Sequence, residues 1–126
     1  MLARLRMLIE ANEELLVLLL LSRSALTDSD YRSLIKALPR PRNMETGTKY
    51  YTEEKKWKLE RIIDKLINDP SSATWDNVFE LEKINELIWD EYSEKYTPNL
   101  RHQAKWVKMV VLVTKAYLIG RGKNNF

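Results

Sequence analysis

Residues 97–120, TPNLRHQAKWVKMVVLVTKAYLIG, decide the fold. Thr97 can cap a helix, and Pro98 suits the first helical position, where a missing N–H costs nothing. Gly120 is the natural stop. Between them Leu100, Ala104, Trp106, Val107, Met109, Val110, Val111, Val113, Ala116, Tyr117 and Leu118 are apolar. Successive residues turn by about 100° around a helix axis, so Arg101, Lys105, Lys108 and Lys115 share about one quarter of the circumference. A helix over 98–119 is thus apolar on most of its surface and cationic along one strip. Such a helix needs neighbours on several sides. The expectation is an all-α, single-domain bundle of four to five helices over residues 1–126.

The segment before it, 73–96, reads as a helix beginning at Ser72 or Thr74. Val78, Leu81, Ile84, Ile88, Trp89 and Tyr92 lie on one broad side. Asp76, Glu80, Glu82, Glu86, Asp90 and Glu91 lie mostly on the other. The short turn at Tyr96–Pro98 makes these two helices antiparallel neighbours. Further out, 52–68 carries Thr52 as cap, Glu53 and Glu54 at the dipole-positive end, and a stripe of Leu59, Ile62, Ile63, Leu66 and Ile67. Asp69-Pro70 ends it. Over 28–38, Thr27-x-x-Asp30 resembles a capping box, and Tyr31, Leu34, Ile35 and Leu38 form the stripe. Pro39 stops that helix and Pro41 keeps the chain extended, which leaves a loop over 39–51, expected to be mobile over 39–48. A first helix over 2–22 turns apolar all round from Leu15. The tail 120–126 is short and basic. No segment alternates with period two over a useful length.

The formal net charge of +3 hides a segregation. Residues 69–96 hold two bases and eight acids, whereas 97–126 hold six bases and no acid. The 44% apolar and 31% charged content suits a globular domain rather than a disordered chain. With no cysteine there is neither a disulfide framework nor a thiolate site, and a cytoplasmic setting is expected. The longest apolar run, Leu15–Leu21, is seven residues, where a membrane span needs roughly 20. Arg4 and Arg6 precede it, but Glu10, Glu13 and Glu14 intervene, so no signal peptide and no membrane partner are expected.

Catalytic constellations are missing from the pattern. The one histidine, His102, sits between Arg101 and Gln103 and reads as a structural residue. Arg101 and His102 are adjacent, unlike the spaced Arg and His of HEPN-type helical RNases. Glu82, Glu86 and Asp90 share a helical face, but a carboxylate-bridged metal centre needs Glu-x-x-His motifs from other helices. Glycine-rich phosphate loops are absent. The expectation is a protein that is not an enzyme and holds no cofactor or metal.

The cationic strip then carries the functional reading. Mixed-sign pairs would solubilise a helix with less self-repulsion than a row of cations. Two destinations stay open. Either the strip lies against the acidic helix and is neutralised there, or it meets a partner: a nucleic-acid backbone, which suits it better than an acidic protein or an anionic membrane. Arg40 and Arg42, interleaved with prolines, and Arg121 and Lys123, beyond the last helix, extend the positive charge. Lys49, Lys55, Lys56, Lys58 and Arg61 interleave with Tyr50, Tyr51 and Trp57, which suits stackable bases; the alternative places Trp57 and one tyrosine in the core. In size and basic surface the chain resembles, as a class, the small helical subunits of CRISPR effector complexes, and viral nucleoproteins equally. That resemblance implies contact with RNA or DNA backbone, without sequence specificity, together with other protein subunits. The nucleic-acid set is Arg101, Lys105, Lys108, Lys115, Arg121, Lys123, Arg40 and Arg42. Glu82, Glu86 and Asp90 would meet protein. The alternative is an adaptor, an inhibitor or a self-assembling protein that pairs acidic with basic helices, head to tail, without nucleic acid.

Overall fold

The computed structural model describes residues 26–122, together with Met7. The helix expected over 2–22, Met7 apart, lies outside the described residues. Among those described there are four α-helices and no strand: α1 (Asp28–Ala37), α2 (Glu53–Asn68), α3 (Trp75–Lys95) and α4 (Pro98–Gly120), with a 3-10 turn at Pro70–Ser72. The chain is an all-α bundle.

The caps explain the boundaries. Thr27 Oγ1 accepts from the Asp30 N–H at 3.1 Å and the Asp30 carboxylate accepts from the Thr27 N–H at 3.4 Å, which closes the capping box of α1. Thr52 stands at the N-cap of α2 without a side-chain cap bond. Thr74, rather than Ser72, caps α3 by accepting from the Asn77 N–H at 3.2 Å. Ser72 is used by the 3-10 turn, which Asp69 holds by accepting from the Ser71 N–H at 3.1 Å. The last helix differs from expectation at its end. Gly120 is still helical, Arg121 is the cap, and the left-handed residue is Gly122 at φ 74°. Only there does the turn require a glycine.

The α3–α4 hairpin is the spine. Tyr96 turns the corner with φ 55° and ψ 32°, a left-handed conformation that costs a side chain about 1–2 kcal/mol. The turn joins the end of α3 to the start of α4, and Lys115, late in α4, pairs with Glu82, early in α3, so the helices are antiparallel. Val78, Leu81, Ile84 and Ile88 of α3 are buried, as is α4 on nearly every side. Each fully buried aliphatic side chain stabilises by about 1.5–3 kcal/mol. α1 docks on α4 through Tyr31, which stacks on Tyr117 at 4.3 Å between ring centroids. The Tyr31 hydroxyl donates to Thr114 Oγ1 at 2.8 Å, and Thr114 passes its own proton to the Val110 carbonyl at 2.8 Å. α2 is tied to α1 by Arg32 Nε donating to the Ile67 carbonyl at 2.8 Å, and to α3 by the Lys58–Glu80 pair at 2.9 Å.

The α1–α2 connection is fastened rather than loose. Glu91, expected on the acidic outer face of α3, is only 1% exposed. Its Oε1 accepts from the backbone N–H groups of Lys49 at 3.0 Å, Tyr50 at 2.5 Å and Tyr51 at 3.2 Å. Thr97 Oγ1 donates to the Glu45 carboxylate at 2.7 Å, and Gln103 Nε2 donates to the Glu45 carbonyl at 3.0 Å. Lys95 Nζ reaches the Thr46 carbonyl at 3.2 Å. Tyr51 is the core tyrosine of this region, with no exposed surface.

Gly47 makes the clamp possible. A methyl built on it would overlap the Glu91 carboxyl group, which is held in place by its three donors. Gly47→Ala should therefore cost about 2–3 kcal/mol, as the clash displaces a buried hydrogen-bond acceptor. Urea unfolding checks this, and a loss under about 0.5 kcal/mol would show that the loop simply shifts aside.

Candidate functional site

The basic strip of α4 divides into two halves with different neighbours. Lys115 is half-buried and its Nζ lies 3.2 Å from Glu82 Oε2. Lys108 is also half-buried and lines, with Lys115, Glu82, Asn85, Glu86 and Trp89, a cleft of about 290 Å³ between α3 and α4. The C-terminal half of the strip therefore meets the acidic helix. The helical turn explains why: Lys108 and Lys115 lie on the α3 side of the strip, and Lys105 lies on the other.

The N-terminal half faces elsewhere. Arg101, His102 and Lys105 are exposed. His102 and Lys105 join Pro39, Arg40, Pro41 and Met109 around a second cleft of about 500 Å³. The sequence places Arg40 some sixty residues from Lys105; the tertiary fold puts them on one cleft. Pro39 and Pro41 stiffen the chain that carries Arg40. The Arg40 guanidinium lies over the Trp106 ring at 5.1 Å and its Nη1 is 3.2 Å from Asp64 Oδ1. Both contacts hold the group at the cleft and leave other N–H donors for a ligand. Trp106 itself is 2% exposed, so the platform under Arg40 belongs to the core. His102, read as a structural residue in the sequence, lies on the surface.

The remaining basic residues scatter. Arg42 is exposed on the same connection. Arg121 Nη1 lies 2.6 Å from Asp28 Oδ1, where it joins the Tyr117 hydroxyl in fastening α1 to the end of α4. Lys123 lies outside the described residues. Of the acidic set, Glu82 is engaged with Lys115, whereas Glu86 and Asp90 are exposed beside Trp89. Among the described residues no group of three or more His, Asp or Glu side chains is placed to hold a metal ion. No described helix is long and apolar enough to cross a membrane.

The burial of Glu91 escaped the sequence reading, although a helical projection contains it. Glu91 follows Ile84 by seven residues and Ile88 by three, so it falls on the apolar face of α3. Of the two places the sequence left open for Trp57, the structure has the exposed one: it lies opposite the Leu59–Ile63–Leu66 stripe of α2 and is 66% exposed, whereas Tyr51 is in the core. The second cleft had no local signal, because its walls come from distant segments.

Comparison of the chain with protein-family models, curated proteins and solved structures gave no match.

Proposed function

We propose that the protein is a non-enzymatic, cytoplasmic helical subunit of a nucleoprotein assembly, which grips a nucleic-acid backbone without reading its sequence. The cleft formed by Arg40, His102 and Lys105 carries this reading: three basic side chains line it, and the carboxylate that touches one of them, Asp64, meets Arg40 at Nη1 from outside the lining. Arg101 and Arg42, both exposed, enlarge the same basic region. Phosphate oxygens suit such a surface, since guanidinium and ammonium groups offer only donors and full charge. Lys115 and Arg121 drop out of the proposed interface by position: Lys115 faces α3 beside Glu82, and Arg121 sits at the far end of α4 beside Asp28.

A salt titration tests the reading. Four phosphate contacts, from Arg40, Arg42, Arg101 and Lys105, predict that log affinity for a single strand falls with log salt at a slope of about −3. A slope near zero, or no binding at low salt, would falsify backbone recognition by this chain. The adaptor reading rests on a separate observation, the exposed Glu86, Asp90 and Trp89 on one stretch of α3, a surface suited to a protein partner.

A further inference from the structure

We infer that the ligand is single-stranded, with Trp57 as the platform on which one of its bases stacks. This rests on the backbone-binding reading and names which form of nucleic acid fits it.

Trp57 is 66% exposed, more than any of the other three tryptophans. At that exposure much of the indole is open to a partner, and its flat, amphipathic ring suits contact with another aromatic group. It lines a third cleft, of about 500 Å³, on the outer face of α2, with Arg61, Asp64 and Lys65. Asp64 is the residue that pairs with Arg40. Arg40 lines the first of these clefts and Asp64 the other, so their 3.2 Å contact joins the two. Trp57 lies seven residues before Asp64 on one helix, about 10 Å along the axis.

The clefts differ in chemistry in the way a nucleotide chain requires. The Arg40 cleft is basic and offers donors to a phosphate. The Trp57 cleft balances Arg61 and Lys65 against Glu60, Asp64 and Asp69, with Asp64 already paired. Near-neutral charge beside an indole face suits an uncharged base rather than another phosphate. A base inside a duplex is stacked on its neighbours and cannot reach the indole, whereas an unpaired base can. Asp64 holding Arg40 also fixes the phosphate site relative to the stacking site.

The experiment measures binding of the full chain to labelled oligothymidylate and oligouridylate of about 12 nucleotides, and to a duplex of the same length. The expected result is preference for the single strands. Trp57→Ala should weaken single-strand binding about tenfold while leaving duplex binding within twofold, and Trp57→Phe should keep most of the affinity. Circular dichroism should show an unchanged fold, because the side chain is exposed. Unchanged single-strand binding by Trp57→Ala, equal losses on both polymers, or a wild-type preference for duplex each overturn the stacking proposal. If Arg101→Glu with Lys105→Glu still abolishes binding in those cases, backbone recognition stands. Failure of the wild-type chain to bind any of the probes at low salt overturns both.

Discussion

Glu91→Ala should destabilise the protein by about 3 kcal/mol or more, a drop of about 10 °C in melting temperature. The side chain is buried, and one of its oxygens serves three successive backbone N–H groups, from Lys49 to Tyr51. Removing it leaves donors in the interior with no acceptor, and each costs about 1–3 kcal/mol unless water enters. The Lys49 and Tyr50 groups are partly accessible and can be rehydrated, which is why the sum stays nearer the lower bound. Glu91→Gln keeps an acceptor of the same shape but loses its charge, so it should cost about half as much.

The same site gives a pH signature. Burial raises the Glu91 carboxyl, but the backbone donors of Tyr50, Lys49 and Tyr51, aided by Lys95, outweigh it and hold the group below its ordinary value of 4.5. A carboxyl depressed in the folded state stabilises fully above the unfolded value. That contribution is lost as pH falls through the lower, folded value. The stability gap between wild type and Glu91→Gln should therefore be constant near neutrality and narrow in acid below about pH 4.5. Urea unfolding at several pH values measures the gap. A gap that widens in acid, or a loss under about 1 kcal/mol for Glu91→Ala, would show that the clamp is not a charged acceptor.

Arg101→Glu combined with Lys105→Glu should lower affinity for a single strand at least about a hundredfold, or about 2.7 kcal/mol, at low salt. Each change replaces an attraction to phosphate with a repulsion. The salt slope should shrink by about 1.4, the share of two contacts. Misfolding is a poor explanation for such a loss. Both residues are exposed, and an acidic side chain at position 101, in the first turn of α4, complements the helix dipole. Lys115→Glu is the control. It sets a second carboxylate against Glu82, so it should cost about 1 kcal/mol of stability and change binding less than threefold. Equal losses from the double variant and from Lys115→Glu would mean that the whole strip acts as one field, and the division into halves would be wrong.

Most of the fold is legible in the chain because it is local. Thr27, Thr74, Pro98 and the periodic Leu and Ile of α2 each act within a turn or two of helix, so their spacing suffices to place α1 to α4. The Gly120 stop differs because a helix end is settled by which carbonyls find donors. Here the Arg121 N–H reaches the Tyr117 carbonyl at 3.2 Å and carries the helix one residue further. The loop over 39–51 looked free because proline and polar residues carry no periodic signal. What pins it, Glu91 and Gln103, lies forty to sixty residues away.

The sequence by itself determined that a helix at 98–120 is apolar around most of its girth, that its wet strip is cationic, and that an acidic helix precedes it. Helical geometry and solvation require no more than that. Only the tertiary structure decided what the strip meets. The narrow turn at Tyr96 lays α3 along one edge of it, so Lys115 is drawn to Glu82. The Pro39–Pro41 segment, held on Trp106 and Asp64 through Arg40, stands along the other edge and leaves Lys105 and His102 facing a cleft. A quarter-turn of helix surface is wide enough to have two different neighbours, and sequence spacing along one helix cannot say which residue falls to which.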